Sequence, residues 1–575
     1  MATKNYWQRL QRERISRRRL LVATGAGAAG LAVAAACGGG GGDDGGKTPG
    51  PGESPTAGAT EGAGTPKRGG MYKGNTTVDW GTLDPVTSVG GFTGITARIY
   101  NGLVARSTEK TDFVFFDLAE EMEQPDEESY VFTIRPGVKI GPNDFGIEER
   151  DLDAFDAKVW QDRIAADENA LPRSFALPWL AAYAAPDAAT FTMRSNGPYA
   201  YFVFRLNPIL GGLMPPREFW EQGTSIEGGG VGAGPYTIRP GSYQETGGII
   251  MDRNPNYYRT DENNNDAPLP YYDGIDVARI TDRLARRTAF QDEQIYSYDA
   301  ADQDEKDELL SQNPDYFVTE SGSNSFISFT MNPTRKPWDD ERIRKAAMYA
   351  LNRQEFADRI FGPGGAKPNG LVHWPTGPFA FDPEELEELQ PYDPARSKQL
   401  IKDATGNDTI KIKVMYPLGT DIQFHAEHLP IWQQQMKDAG FELDEDPLDF
   451  GTWLGRYTVV DYDSSLSLNQ VYDLAETALD WQHSLGPQGD ANFGIGIGTL
   501  YPEVDEAILK SKQVASLEEA AELVKDAQRL IYEKGPGYLP IVSWLGYTLY
   551  QPFVKNITPG LRGAGQFLND TWLDL

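Results

Sequence analysis

Short apolar stretches alternate with amphipathic ones along the chain from Arg68 onward. The β-branched and aromatic segments YVFTI (130–134) and FISFTMN (326–332) predict strands. Apolar side chains recur at helical spacing over residues 339–360, where Asp339 and Asp340 suit a helix start. Similar patterns predict helices over 427–439, ended by Gly440, and over 516–533. The alternation predicts an α/β fold with several sheets.

An uncharged stretch, residues 20–36, follows a basic head and is rich in Ala and Gly. It is too short and too weakly apolar for a spanning helix, which needs about 20 strongly apolar residues. A basic head, an uncharged centre and small residues at the exit are the parts of a secretory signal. Arg17 and Arg18, with the leucines that follow, resemble a twin-arginine export signal, and the general secretory route is the alternative.

The uncharged stretch ends in VAAAC, with Cys37 as the only cysteine of the chain. This resembles a bacterial lipobox, although Ala34 stands where leucine is usual. We therefore expect Cys37 to be the lipidated first residue of a protein held at the outer face of the cytoplasmic membrane or in the periplasm. The alternative is a buried cysteine, but Cys37 lies between an alanine run and a glycine run, where little can pack against it.

Residues 38–66 are rich in Gly, Pro and Thr, which predicts a flexible tether. Within it, GGDDGGKT (41–48) satisfies the phosphate-loop pattern letter for letter. That site requires a preceding strand and a following helix, and the pattern predicts neither here. We interpret this match as chance.

The chain has 53 Lys+Arg and 84 Asp+Glu residues, for a formal net charge of −31. This balance argues against nucleic acid and against anionic lipid as a docking surface, since both need a basic face. With one cysteine, neither an internal disulfide nor a cysteine-rich metal site is available. The length of 575 residues predicts two or three domains.

A series of motifs in one order resembles the extracellular solute-binding proteins of family 5, the peptide- and nickel-binding components of ABC importers. These motifs are RGG (68–70), TLDP (82–85), IYNGLV (99–104), YVFTIRPGVK (130–139), PDAATFTM (186–193), GVGAGPY (230–236), RNPNYY (253–258), LPYYDGI (269–275), PWDDERIRKAAMYALNR (337–353), YDPARSKQLI (392–401) and PEVDEAI (502–508). Most have structural explanations, and we expect the glycines of 230–235 to supply a backbone turn between domains.

The resemblance implies a periplasmic-binding-protein-like α/β fold (type II, cluster C), with a cleft between two lobes and an additional inserted lobe. Lobe I would combine residues 67–106, 231–320 and 541–575, lobe II would be 107–230, and lobe III would be 321–540. The ligand would lie between lobes I and III, which close around it. The implied function is capture of a small solute, with a peptide favoured, and its delivery by a monomer to an ABC permease and its ATPase.

By the same resemblance, residues 472–492 lie near the ligand, although this chain lacks the usual Asp-Pro-Asp segment there. Asp480 is the expected partner of a ligand ammonium group, with Asp473 as the alternative, and an acidic solvated loop is the competing interpretation. The other candidate contacts are Tyr472, Trp481 and His483.

No metal, cofactor or enzyme activity is expected, because the chain shows neither a nucleophile elbow nor an HExxH motif. His425 and His428 stand one helical turn apart and could bind a metal, but we expect a solvated first helical turn instead. An oligosaccharide or a metal chelate as ligand, and a surface sensor instead of a transport receptor, remain the alternatives.

Overall fold

The computed structural model describes residues 64–77, 84–86, 95–106, 114–167, 170, 179–206, 214–221, 230–243, 247–373, 378–418, 423–470, 479–484, 496–557 and 570–575. Within these ranges, no helix is both long enough and apolar enough to cross a membrane. Cys37, Arg17, Arg18 and the phosphate-loop match lie outside the described residues.

The first sheet has four strands, of which the first two are parallel and the others antiparallel. In spatial order they are Met71–Thr76, Gly274–Arg279, Ile249–Arg253 and Tyr236–Ile238. Tyr72, Ile275 and Met251 contribute to its buried core.

The second sheet is a four-stranded antiparallel sheet. Its order is Ala119–Glu123, Ser129–Ile134, Thr190–Ser195 and Leu180–Ala184. The strand predicted at 130–134 is confirmed, with Tyr130, Phe132 and Ile134 buried at alternate positions. The helix Ala154–Ala166 packs on this sheet, and its Trp160 is buried.

The third sheet has seven strands. Its path runs Ser297–Ala300, Tyr538–Tyr550, Phe317–Met331, Ser464–Gln470, Ile410–Leu418 and Phe441–Asp449, while Ala366–Pro368 pairs separately with Tyr538–Tyr550. The strand predicted at 326–332 is confirmed as the second half of Phe317–Met331.

Two strands of the third sheet, Phe317–Met331 and Tyr538–Tyr550, are unusually long, and we call them the crossing strands. At about 3.3 Å per residue, each spans roughly 40 Å or more. One end lies beside the first sheet, where Tyr72 Oη donates to Ser297 Oγ over 3.0 Å and Tyr296 N donates to Lys73 O over 2.8 Å. The predicted boundaries at 320/321 and 540/541 both fall inside these continuous strands, and the division into lobes stays a prediction.

The pairing between the crossing strands is interrupted near its middle. Gly322 lies opposite Leu545, whereas Phe326 lies opposite Ser543, so the intervening residues of one strand form a bulge. A bulge bends a strand and weakens its ladder locally.

The helix predicted over 339–360 is divided into two in the structure, Glu341–Tyr349 and Arg353–Phe361. Asn352 causes the division, because its side chain accepts a hydrogen bond from Glu355 N and starts a new helix. The predicted start is confirmed, with Asp340 accepting from Arg342 N.

The other two predicted helices are present as Gln423–Asp438, followed by Gly440 at φ +98°, and Leu517–Lys534, capped by Ser516. Among the described residues, the remaining helices are Thr96–Ile99, Phe202–Arg205, Arg217–Glu221, Arg283–Gln291, Gln303–Gln312, Pro383–Leu389, Pro394–Thr405, Phe450–Thr458, Pro502–Lys512 and the 3₁₀ turn Ile497–Thr499. The same part of the chain has three two-stranded ribbons, which pair Val104–Arg106 with Val114–Phe116, Thr260–Asp261 with Ala267–Pro268, and Val554–Lys555 with Trp572–Leu573.

The glycine-rich segment at 230–235 packs closely on a neighbouring helix, and its expected role as a turn between domains stays a prediction. It packs backbone to backbone on the end of the helix Thr96–Ile99, where Gly234 N donates to Ile99 O over 2.9 Å. A Cβ on Gly232 would lie 2.1 Å from Ile99 O, so glycine is required there by close approach and not by an unusual φ.

Candidate functional site

The segment 479–484, here called the platform segment, contains three of the residues that the sequence analysis selected, Asp480, Trp481 and His483. It lies beside the first residue of one crossing strand, Tyr538. The other two selected residues, Tyr472 and Asp473, lie outside the described residues.

Asp480 is buried, with 8% of its side chain exposed, and its carboxylate contacts the ammonium group of Lys512. Lys512 is the last residue of the helix Pro502–Lys512, and its side chain is 7% exposed. The carboxylate expected to receive a ligand ammonium group therefore already contacts an ammonium group of the protein. The assignment of Asp480 to a ligand stays a prediction.

Gln482 attaches the platform segment to the crossing strand. Its Nε2 donates to Tyr538 O over 2.8 Å, and its Oε1 accepts from Gly537 N over 3.1 Å. Gln482 is fully buried, so both hydrogen bonds are shielded from water. The amide thus holds the platform segment at a defined position, next to the start of the crossing strand.

Asp505 makes a third attachment, from the same helix as Lys512. Its Oδ1 accepts from Ser484 N over 2.9 Å and lies 3.9 Å from His483 Nε2. Burial lowers the pKa of His483, and the nearby Lys512 ammonium group lowers it further, while Asp505 opposes both effects. His483 is therefore neutral at pH 7, and Asp505 serves mainly as an acceptor for the backbone.

The attached segment presents the indole of Trp481, which is half-buried. Its ring stacks on Tyr538, with centroids 4.8 Å apart and planes at 9°. The ring of Tyr457, on the helix Phe450–Thr458, has its centroid 6.4 Å from that of Trp481. Tyr457 stacks in turn on Trp453 and on Tyr462. Stacked aromatic pairs contribute about 0.5–1.5 kcal/mol beyond their buried area, so this row of rings is a stiff support.

The sequence analysis missed Gln482, Lys512 and Tyr538, because each acts through a contact between distant parts of the chain. Only the short spacing of Asp480, Trp481 and His483 was visible in the sequence. Among the described residues, no group of three or more His, Cys, Asp or Glu side chains is placed to hold a metal ion. His425 and His428 lie in the helix Gln423–Asp438, and their side chains are outside the described part.

Comparison with known proteins gives one family and a consistent set of relatives. The family model of the bacterial extracellular solute-binding proteins, family 5 Middle, matches residues 115–489. The glutathione-binding protein GsiB of Salmonella paratyphi A is 24% identical over 435 residues, covering 72% of this chain and 77% of that protein.

Solved structures resemble the chain over most of its length. The periplasmic binding protein DppA from Helicobacter pylori, in complex with the peptide STSA, has a TM-score of 0.70 at 19% identity, covering 88% of this chain and 99% of that one. The dipeptide binding protein from Pseudoalteromonas sp. SM9913, in complex with Met-Leu, has a TM-score of 0.70 at 16% identity, covering 88% and 100%. These likenesses confirm the expected periplasmic-binding-protein-like α/β fold.

Proposed function

Because the chain belongs to the bacterial extracellular solute-binding proteins of family 5, it is a solute-binding protein, and we propose that its solute is a peptide-type molecule delivered to an ABC permease. The family is one of binding proteins, not of enzymes. Support for the peptide class comes from a relative named for binding glutathione and from similar solved structures in complex with the peptide STSA and with Met-Leu.

The observation that carries the proposal is the pair of crossing strands, with the platform segment attached at the start of one of them. We propose that the regions on either side of the bulge between Gly322 and Phe326 rotate about it when the solute binds. Trp481 lies beside the first residue of a crossing strand, and its supported indole offers area at a low cost in conformational entropy. We propose that this indole contacts the bound solute.

Calorimetry with the full chain tests the solute class. The panel is glutathione, Met-Leu and the tetrapeptide Ser-Thr-Ser-Ala, each also as its N-acetylated form. We expect at least one of them to bind the wild-type chain, and Trp481→Ala to weaken that binding about tenfold or more, as truncation of a central aromatic contact does. If none binds the wild-type chain, the peptide class is wrong, and an oligosaccharide or a metal chelate becomes the next class to test.

We also propose that the mature protein is anchored outside the cytoplasm through a lipid on Cys37. Support comes from the basic head, the uncharged stretch and the small residues before the cysteine. Cys37→Ser should release the protein from the membrane fraction. A variant that remains bound to membranes after a high-salt wash would show that the anchor is a different group.

The paired arginines are proposed to direct export through the twin-arginine route. Because SRRR contains two overlapping pairs, Arg17, Arg18 and Arg19 are changed to Lys together. Accumulation of precursor in the cytoplasm is the expected result. Normal export of the triple variant would indicate the general secretory route.

A further inference from the structure

The contact between Asp480 and Lys512 joins two charged groups that are almost entirely removed from water. Separating them would leave an ammonium group and a carboxylate buried without each other, which is strongly unfavourable. The same helix that carries Lys512 also carries Asp505, which holds the backbone of the platform segment at Ser484. The pair is therefore one of several attachments between one helix and one segment.

These attachments lie on either side of Trp481. Asp480 precedes it and contacts Lys512. Gln482 follows it and makes hydrogen bonds to Tyr538, the first residue of the crossing strand, and to Gly537 just before that strand. Close packing supports the arrangement, since a Cβ on Gly498 would lie 1.8 Å from Asp505 Oδ1. With both neighbours held, the backbone at Trp481 is held as well, and the indole lies face to face with Tyr538.

We propose that Asp480 and Lys512 are a positioning pair, which holds Trp481 on Tyr538, and that the solute contacts the indole and not the Asp480 carboxylate. The second half of this inference rests on the proposed function. It implies that the solute needs no free amino group at this place, because the protein supplies the ammonium group itself.

A ligand ammonium group at Asp480 would have to replace Lys512. The displaced ammonium group would then remain in a buried region beside His483, whose pKa is already lowered. The nearby carboxylate of Asp505 already accepts from Ser484 N. The geometry therefore favours a permanent pair over an exchange of partners.

The first test uses the chain without ligand. The variants are Lys512→Met, Asp480→Asn and the double variant, and the signal is near-ultraviolet circular dichroism, with the Trp481 contribution identified by subtracting Trp481→Phe. We expect both single variants to lose the signal of the Trp481–Tyr538 stack, and the double variant to lose no more than the worse single one. Arg150→Met is the matched control, because it breaks a largely buried ion pair beside the second sheet and should leave the stack signal intact.

The second test is the direction of the affinity change with whichever peptide binds the wild-type chain. If the pair positions Trp481, Lys512→Met weakens binding by roughly threefold to thirtyfold, part of what Trp481→Ala removes, for free and N-acetylated peptides alike. If Asp480 instead receives a ligand ammonium group, Lys512→Met removes a competitor and strengthens binding of the free peptide only.

Two results would overturn the inference. One is an unchanged stack signal in both single variants, and the other is tighter binding of the free peptide by Lys512→Met. Failure of the proposed function gives a different result, because then no peptide binds the wild-type chain. In that case the ligand-free stack signal still decides whether the pair positions Trp481.

Discussion

Arg150 joins three parts of the region around the second sheet, and its removal is the sharpest test of how that region is held together. Its guanidinium group makes two hydrogen bonds to Asp156, of 2.8 and 2.7 Å, and two to Glu218, of 2.7 and 2.6 Å. Asp156 has no exposed side-chain area, and it belongs to the capping box that starts the helix Ala154–Ala166. We therefore expect Arg150→Met to be strongly destabilising.

The expected loss of folding free energy depends on which partners Asp156 retains in the variant. Removing one partner of a buried ion pair costs about 3–5 kcal/mol. In the variant, Asp156 still accepts from the backbone nitrogens of Asp153 and Arg217, and the Arg217 guanidinium group lies 3.3 Å away. These partners reduce the loss, as does the 22% exposure of Arg150, so we expect about 2–4 kcal/mol.

Urea unfolding combined with hydrogen exchange measures this, because a chain of this size need not unfold in one step. Exchange should accelerate in the helix Ala154–Ala166 and not in the third sheet. Arg194→Met is the control, since its pair with Glu128 is largely exposed and should contribute no measurable stability. Adding Asp156→Asn to Arg150→Met should cost less than the sum of the two single changes.

A loss below about 0.5 kcal/mol for Arg150→Met would refute this reasoning, since surface substitutions without a special role have effects of that size. Additive losses in the double variant would refute it as well, because they would mean that the two groups do not act as a pair.

Two further predictions use backbone packing and pH. Gly232→Ala should lower the free energy of unfolding by several kcal/mol, because the new Cβ would overlap Ile99 O. Gly455 lies in a helix with open space around it, so Gly455→Ala should instead stabilise the protein by about 0.5–1 kcal/mol. Equal effects of the two changes on urea unfolding would contradict the close approach at Gly232. Arg150 lowers the pKa of Glu218, so Glu218 stabilises the fold above its ordinary pKa of 4.5 and loses this effect as the pH falls through its lower folded pKa. The stability difference between wild type and Glu218→Gln should therefore be largest near pH 7 and shrink in acid, and a difference that grows in acid would reverse the assigned sign.

Much of the local structure was determined by the sequence itself. The strand at 130–134 and the helix start at Asp340 depend on residues at most a few positions apart, so the pattern predicted them correctly. The break at Asn352 was also local, but its side chain competes with the helix for backbone hydrogen bonds, and apolar spacing does not show this competition. The series of motifs in one order along the chain likewise predicted the family and the fold.

The platform segment was decided by the tertiary structure. Lys512 is 32 residues from Asp480, and Tyr538 is 56 residues from Gln482, and only the path of the chain through the third sheet and its helices brings each pair together. A carboxylate next to a tryptophan has the same appearance in a sequence whether its partner is a ligand or a lysine. The two cases differ in which ammonium group is buried beside it, and burial is a property of the packed molecule.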